Sequence, residues 1–337
     1  MLKIRNSVFL ILLQLPFLVF AFTTTSTVIG NLPLNQNPNL SSYFPQNVKS
    51  VPEVLISRDQ YVISYNQDTR LLNWAAWKLE LSDIGHAGRS NNFLPDPDLQ
   101  NYLNQFNKQA VTPLDYRGTC FDRGHQVPSG DRDTTKDINN FTFLMSNMIP
   151  QTAFLNRFIW EHLESYTRDL VINQNKKVYI IAGPIFNEDF GKIGPNNDIP
   201  VPSKNFKIII VLDKDQTLSD VNLQTRIISV VMPNLLKTGK KPLDDKDELC
   251  LESNPPPKPP VVPPVSPTTP EPLPTPEPVP APVALDPAPV TPLPTAHPLN
   301  DDWMKYEVSL EEVEKLSGFK LTPEPEPQPT PAPQPQN

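Results

Sequence analysis

Asp122-Arg123-Gly124-His125 sets a carboxylate, a guanidinium and an imidazole within four residues, and Asn156 and Glu164 follow on one helical pattern. An imidazole is the side chain best suited to take a proton from water near neutral pH, as hydrolysis of a phosphodiester requires. The amide oxygen of Asn156 is a hard ligand, compatible with a divalent cation that keeps several waters, and Glu164 can hold one of those waters. Glu164 lies eight residues after Asn156. At about 100° per residue that offset is roughly 80°, so both can face one side of a helix, about 12 Å apart along its axis. Arg168, four residues beyond Glu164, stands where it can pair with it. Taken singly, each is an ordinary structural or surface residue; together, a base, a hard-metal ligand and cationic phosphate partners are the minimum for cutting a phosphodiester.

The elements that must position these groups can be read from periodicity. Phe154, Leu155, Phe158, Ile159, Leu163 and Tyr166 recur every three to four residues, which predicts an amphipathic helix over Thr152–Leu170. The apolar runs beginning at Lys177 and Phe206 read as buried strands, whereas the run from Leu71 fits strand or helix. His125 is expected near a strand end, because Pro128, Gly130 and Asp131 mark a turn just after it. Strands and a helix without regular βαβ alternation predict an α+β domain on a mostly antiparallel central sheet flanked by helices.

Composition divides the chain. Of 43 prolines, 20 lie between Pro255 and Pro298 and 7 between Pro323 and Pro335, stretches that favour solvated polyproline II spacers over a packed core. From Glu252 onward 12 acidic and 4 basic residues account for the whole formal charge of −8, so the remainder is balanced. A broad cationic footprint is therefore excluded, and any phosphate binding must come from a few placed arginines. Lys3 and Arg5 precede an apolar run from Val8 to Phe20, with small residues at Val19 and Ala21. That pattern predicts a cleaved signal peptide, export to an extracellular or periplasmic location, and no stable membrane span afterwards. Between the proline tracts, Ser309 as N-cap, Glu312 three residues later and Gly318 as stop predict a short helix that must dock on the main domain. The expected layout is thus a signal peptide at 1–21, a flexible segment at 22–43 and a main domain at 44–253. A disordered proline-rich insertion at 254–299, a closing helix at 300–322 and a disordered proline-rich tail at 323–337 complete it.

Asp122-Arg123-Gly124-His125, the segment 145–151, Leu155-Asn156 and Leu163-Glu164 together closely resemble the DNA/RNA non-specific endonucleases, the ββα-metal nucleases. The segments beginning at Arg89, Ile181 and Val201, and the stretch Trp303–Phe319, are similar to other parts of that family, so the resemblance covers about 61–251 and 301–321. It implies His125 as general base, Asn156 as the direct ligand of Mg²⁺, with Mn²⁺ also suited, and Glu164 as holder of a metal water. Arg89 would stabilise charge on the phosphorane, Arg168 would contact phosphate, and Arg123 and Asn147, which match motif positions, would join His125, Arg89 and Glu164 as catalytic residues. DNA and RNA would be bound through the backbone with little base preference and cut to 5′-phosphorylated products.

Cys120 and Cys250 are the only cysteines, and an oxidising compartment favours a disulfide between them over two buried thiols. Two other readings keep parts of the picture: an exported proline-rich surface-binding protein on a nuclease-like scaffold, with envelope contact through its proline segments, or a metal phosphodiesterase of narrow range.

Overall fold

Apolar residues on both faces of its long strands set the architecture, because such strands must be covered on two sides. The computed structural model describes residues 26–40, 45–254 and 300–320. The expected signal peptide at 1–21, the expected proline-rich insertion at 254–299 apart from Asn254, and the expected tail at 323–337 lie outside the described residues. In chain order the first strands are β1 (Thr27–Gly30), β2 (Gln46–Asn47), β3 (Val54–Ser57), β4 (Val62–Asn66) and β5 (Leu71–Leu79). Helix α1 (Pro97–Asn104), strand β6 (Asp122–His125), helix α2 (Lys136–Thr142) and strand β7 (Met148–Gln151) follow. A π-helical turn at Leu155–Ile159 runs into α3 (Trp160–Ile172), and then come β8 (Lys176–Ile185), β9 (Lys192–Ile193), β10 (Ile199–Pro200), β11 (Lys204–Asp213) and β12 (Arg226–Pro233). Helices α4 (Lys246–Ser253) and α5 (Leu310–Ser317) and strand β13 (Phe319–Lys320) complete the described chain.

Seven strands form one sheet in the order β1-β3-β4-β5-β8-β11-β12. Its pairings are antiparallel except for β1 beside β3, so the α+β expectation holds, and the run from Leu71 is strand. Alternation divides the side chains between two cores. Trp74, Ile181, Phe206 and Ile208 enter one, while Trp77, Ile180 and Ile209 enter the other, with Trp160 and Leu163 of α3. Apart from this sheet, β6 and β7 make a two-stranded antiparallel ribbon pairing Asp122 with Gln151 and His125 with Met148. The ribbon runs directly into the π-turn and α3, a ββα unit.

Residues 26–40, the described part of the segment expected to be flexible at 22–43, are tied into the fold. Residues 27–30 pair with β3, and the Asn37 amide donates to Ser57 Oγ and to the Arg58 carbonyl at 2.9 Å each. Asn39 Oδ1 accepts from the Lys78 main chain at 3.0 Å, and Leu40 is buried. Asparagine and proline give this stretch the composition of a loop, yet its amides satisfy strand ends that would otherwise be unpaired.

Residues 300–320 wrap the β12 edge of the sheet. The Val308 N–H donates to the Ser229 carbonyl at 2.9 Å, Trp303 packs in one core and Val313 in the other. Ser309 caps α5 by accepting from Glu312 N, and Gly318 ends it with φ of 78°. A short helix marginal by itself is thus stabilised by straddling an edge that would otherwise expose unpaired main-chain groups.

Cys120 and Cys250 are joined by a disulfide, tying the approach to β6 to helix α4. Its 130-residue separation means that closing the loop removes much of the unfolded chain's freedom. Replacing both cysteines by serine is expected to lower unfolding stability by up to about 5 kcal/mol. Coincident urea transitions for the variant and the parent would contradict this.

Candidate active site

A cleft of about 560 Å³ opens between the ββα unit and the loop following β6, lined by Arg89, Phe93, Asp122, Arg123, His125, Asn156, Arg157, Glu161, Glu164 and Arg168, among others. The residues expected to act together therefore converge, except Asn147. His125 ends β6 and is 6 % exposed, with its ring edge-on to Phe143 at 4.7 Å and to Phe93 at 5.7 Å between centroids. The Trp160 indole N–H donates to the His125 carbonyl at 3.3 Å, fastening the strand end to α3. Nε2 has no hydrogen-bond partner among the described residues. Burial first, then the charges of Arg89 and Arg123, hold this imidazole well below its ordinary pKa; a hydrogen bond with the Arg123 main chain opposes them only weakly. The ring is thus neutral at physiological pH, the form that can accept a proton.

Asn156 sits in the π-helical turn, where its N–H is held by the Thr152 carbonyl at 2.9 Å. Irregular turns of this kind re-aim a side chain relative to a straight helix. The helix expected over Thr152–Leu170 is thus present from Ala153 to Ile172, with the π-helical turn at Leu155–Ile159 interrupting its regular course. Asp122 decides how the amide is turned. Its Oδ2 accepts from Asn156 Nδ2 at 2.9 Å, and Arg157 grips the same carboxylate through Nε at 2.7 Å and NH2 at 2.6 Å. A carboxylate only accepts, so the amide nitrogen must face it and the amide oxygen is directed elsewhere. That oxygen fits a hard divalent cation. No group of three or more His, Cys, Asp or Glu side chains suited to a metal occurs among the described residues, so a cation here would rest on Asn156 and its own waters.

Glu164 lies on α3 with Oε1 3.7 Å from Lys207 Nζ. Burial raises its pKa, with the charges of Lys207 and Arg168 acting against that rise. The pairing expected between Glu164 and Arg168 is not made. Arg168 NH1 instead donates to Asp131 Oδ1 at 3.2 Å and NH2 to Ser165 Oγ at 3.1 Å, because the loop after β6 places a buried carboxylate nearer. Arg89 lies over the Phe143 ring at 5.0 Å and Arg123 over Phe93 at 3.8 Å. Neither forms an ion pair among the described residues, and both remain open to an anion.

Asn147 does not reach the cleft and must be removed from the candidate catalytic set. It is fully buried; its Nδ2 donates to the carbonyls of Val127 and Thr142 and its Oδ1 accepts from Val127 N. It holds the chain that follows His125, a structural task. Arg157, Glu161 and Phe93 carry no local sequence signal of a place in the cleft, and Asp122, although part of the motif, carries none of its contact with Asn156. Lys207 does carry one, since it interrupts the apolar strand run from Phe206 to Leu212.

The sequence profile of a family described as DNA/RNA non-specific endonuclease matches residues 35–248. A nuclease of Nostoc sp. is 42% identical over 181 residues, 53% of this chain and 63% of that protein. The chain thus spans less than two thirds of that relative. Mitochondrial endonuclease G of Bos taurus is 31% identical over 237 residues, 66% of this chain and 73% of that protein. Nuclease C1 of Cunninghamella echinulata is 30% identical over 192 residues, 53% of this chain and 73% of that protein. A solved structure of the EndoG/EndoGI complex superposes with a TM-score of 0.52 at 20% identity, covering 86% of this chain and 92% of that one, a likeness of fold.

Asn147→Ala strands buried main-chain groups at 127 and 142, each such loss being worth about 1–3 kcal/mol. The expected result is a lower urea midpoint with an unchanged denaturant slope. An unshifted midpoint would contradict the structural role of Asn147.

Proposed function

We propose that this chain, which belongs to the DNA/RNA non-specific endonuclease family, is an exported Mg²⁺-dependent nuclease that hydrolyses DNA and RNA without base preference and leaves 5′-phosphorylated ends. One observation carries the reading: a neutral, unpartnered imidazole nitrogen and an amide oxygen, oriented by Asp122, line one cleft with four arginines. His125 takes the proton from the attacking water through Nε2, which the main-chain bond and the flanking rings keep in place. Asn156 would hold the cation by Oδ1, Mn²⁺ suiting the same ligand, and Glu164 would hold a water beside it. A bound divalent cation would supply charge neutralisation at the scissile phosphate and at the departing 3′ oxygen. Arg89 and Arg123, free of carboxylate partners, bind and stabilise the charge gathering on the phosphate oxygens, and Arg168, fixed by Asp131, contacts a neighbouring phosphate. Contacts of this kind address the backbone, so sequence goes largely unread.

Export rests on the basic start and apolar run of residues 3–20 and is supported by a disulfide, which persists in oxidising compartments. Among the described residues no helix is long and apolar enough to cross a membrane. The segment that follows the first proline-rich tract docks at β12.

Digestion of plasmid DNA and of RNA with and without EDTA tests the reading, with both substrates cut only when metal is present. His125→Ala and Asn156→Ala should each lower turnover about 10²–10⁴-fold. Undiminished cleavage by both variants would remove the mechanism, while cutting restricted to one small phosphodiester would favour the narrow-range alternative. The acid limb of the kcat/KM profile is expected below pH 6.5. The reason is one of sign: a depressed imidazole pKa keeps the base form populated as pH falls, and activity is lost only once His125 is protonated. An acid limb at or above pH 6.5 would contradict this assignment. Affinity for DNA should fall linearly with the logarithm of salt concentration, and Arg89→Ala should reduce that slope by about 1.

A further inference from the structure

Behind the cleft, strand β11 carries a charge where its neighbours are apolar. Phe206, Ile208 and Ile210 enter the core away from the site, whereas Lys207 and Ile209 face α3. Lys207 is 1 % exposed and is the only lysine counted as buried among the described residues. Its Nζ lies 4.0 Å from the centroid of the Trp160 ring, 5.9 Å from that of Trp77 and 3.7 Å from Glu164 Oε1. The aromatic walls are themselves fixed. Trp160 donates to the His125 carbonyl at 3.3 Å, and Trp77 Nε1 donates to Asp131 Oδ2 at 2.9 Å, whose other oxygen takes Arg168 at 3.2 Å. An ammonium removed from water is costly unless paired, and here the indole faces and the glutamate replace its hydration.

We propose that Lys207 is a positioning residue for the hydrolysis: boxed between Trp77 and Trp160, its ammonium holds Oε1 of Glu164 and so presents the other carboxylate oxygen to the cleft, where it orients a water of the metal shell. The proposal rests on the water-holding role of Glu164 given above. Lys207 acts through Glu164 alone. It lines no part of the cleft and does not touch substrate. The box also explains the choice of side chain, since a compact cation on a flexible stem fits between two indoles where the broad guanidinium of arginine would displace them.

The test is a double-mutant cycle on the full protein, with Mn²⁺ binding followed by electron paramagnetic resonance alongside the kcat and KM for plasmid nicking. Lys207→Met should weaken Mn²⁺ binding and lower kcat about 10–100-fold, with KM for DNA unchanged. In a Glu164→Gln background the same substitution should add less than about a twofold loss of either quantity, because the group it positions is already neutral and misplaced. Equal losses in the two backgrounds, or a Lys207→Met protein that keeps both metal affinity and kcat, would overturn the proposal. Should Lys207→Met fail to fold, Lys207→Gln, which keeps a donor without the charge, enters the same cycle against Glu164→Gln under the same criteria. If Glu164→Gln itself leaves Mn²⁺ binding and kcat unaltered, the water-holding role of Glu164 fails. That result differs from one in which Glu164→Gln is impaired and Lys207→Met adds its full loss to it.

Discussion

The carboxylate of Asp122 binds the two halves of the ββα unit into one site. It lies on β6, three residues before His125, and its oxygens take the amide of Asn156 and the fork of Arg157 from the first turn of the helical arm. Three bonds of 2.6–2.9 Å thus fix the separation of His125 and Asn156 and decide which end of the amide faces the cleft. Because Asp122 and Arg157 neutralise one another, the pair adds little net charge to a pocket meant for phosphate. Their cross-strap also gives the π-helical turn a purpose, since the turn carries Asn156 and Arg157 side by side to a single carboxylate.

Electrostatics in the cleft are local rather than global. The chain as a whole is acidic, yet its excess negative charge belongs to residues after 251, and the cleft gathers four arginines. Two are engaged by Asp122 and Asp131, and two lie over phenylalanine rings without an ion pair among the described residues. Desolvation acts in opposite senses on the two proton-bearing groups. It pushes His125 towards neutrality, and it raises Glu164, against which Lys207 stands as a counter-charge. A pocket of a few placed charges in a low-dielectric wall exerts a stronger field on a phosphate than the same charges spread over a surface.

Rigidity comes from the sheet. Trp77 of β5 and Lys207 of β11 reach from it to the residues behind the cleft, so the frame and the site share side chains. The segment 300–320 covers the β12 edge, and the disulfide holds the approach to β6, where Cys120 adopts φ of 64°, a conformation that needs support from its surroundings.

Chemical type was legible in residue type. His125, Asn156, Glu164, Arg123 and Arg168 stood out as candidates by motif and spacing and Arg89 by resemblance alone, whereas the buried strands at 177 and 206 and the capped helix at 310 were legible because periodicity and capping are local properties. Partner choice was not. Asn147 looks like a catalytic amide but is consumed by the main chain at 127 and 142. Arg168 meets Asp131 rather than Glu164, and a loop-like stretch at 27–40 joins the sheet and its network. Asp122, which orients the Asn156 amide, lies 34 positions from it in the chain, and the lysine behind Glu164 lies 43 positions away. Contacts across such separations follow from strand register and from which face each helix buries, and these are settled only when the whole core packs.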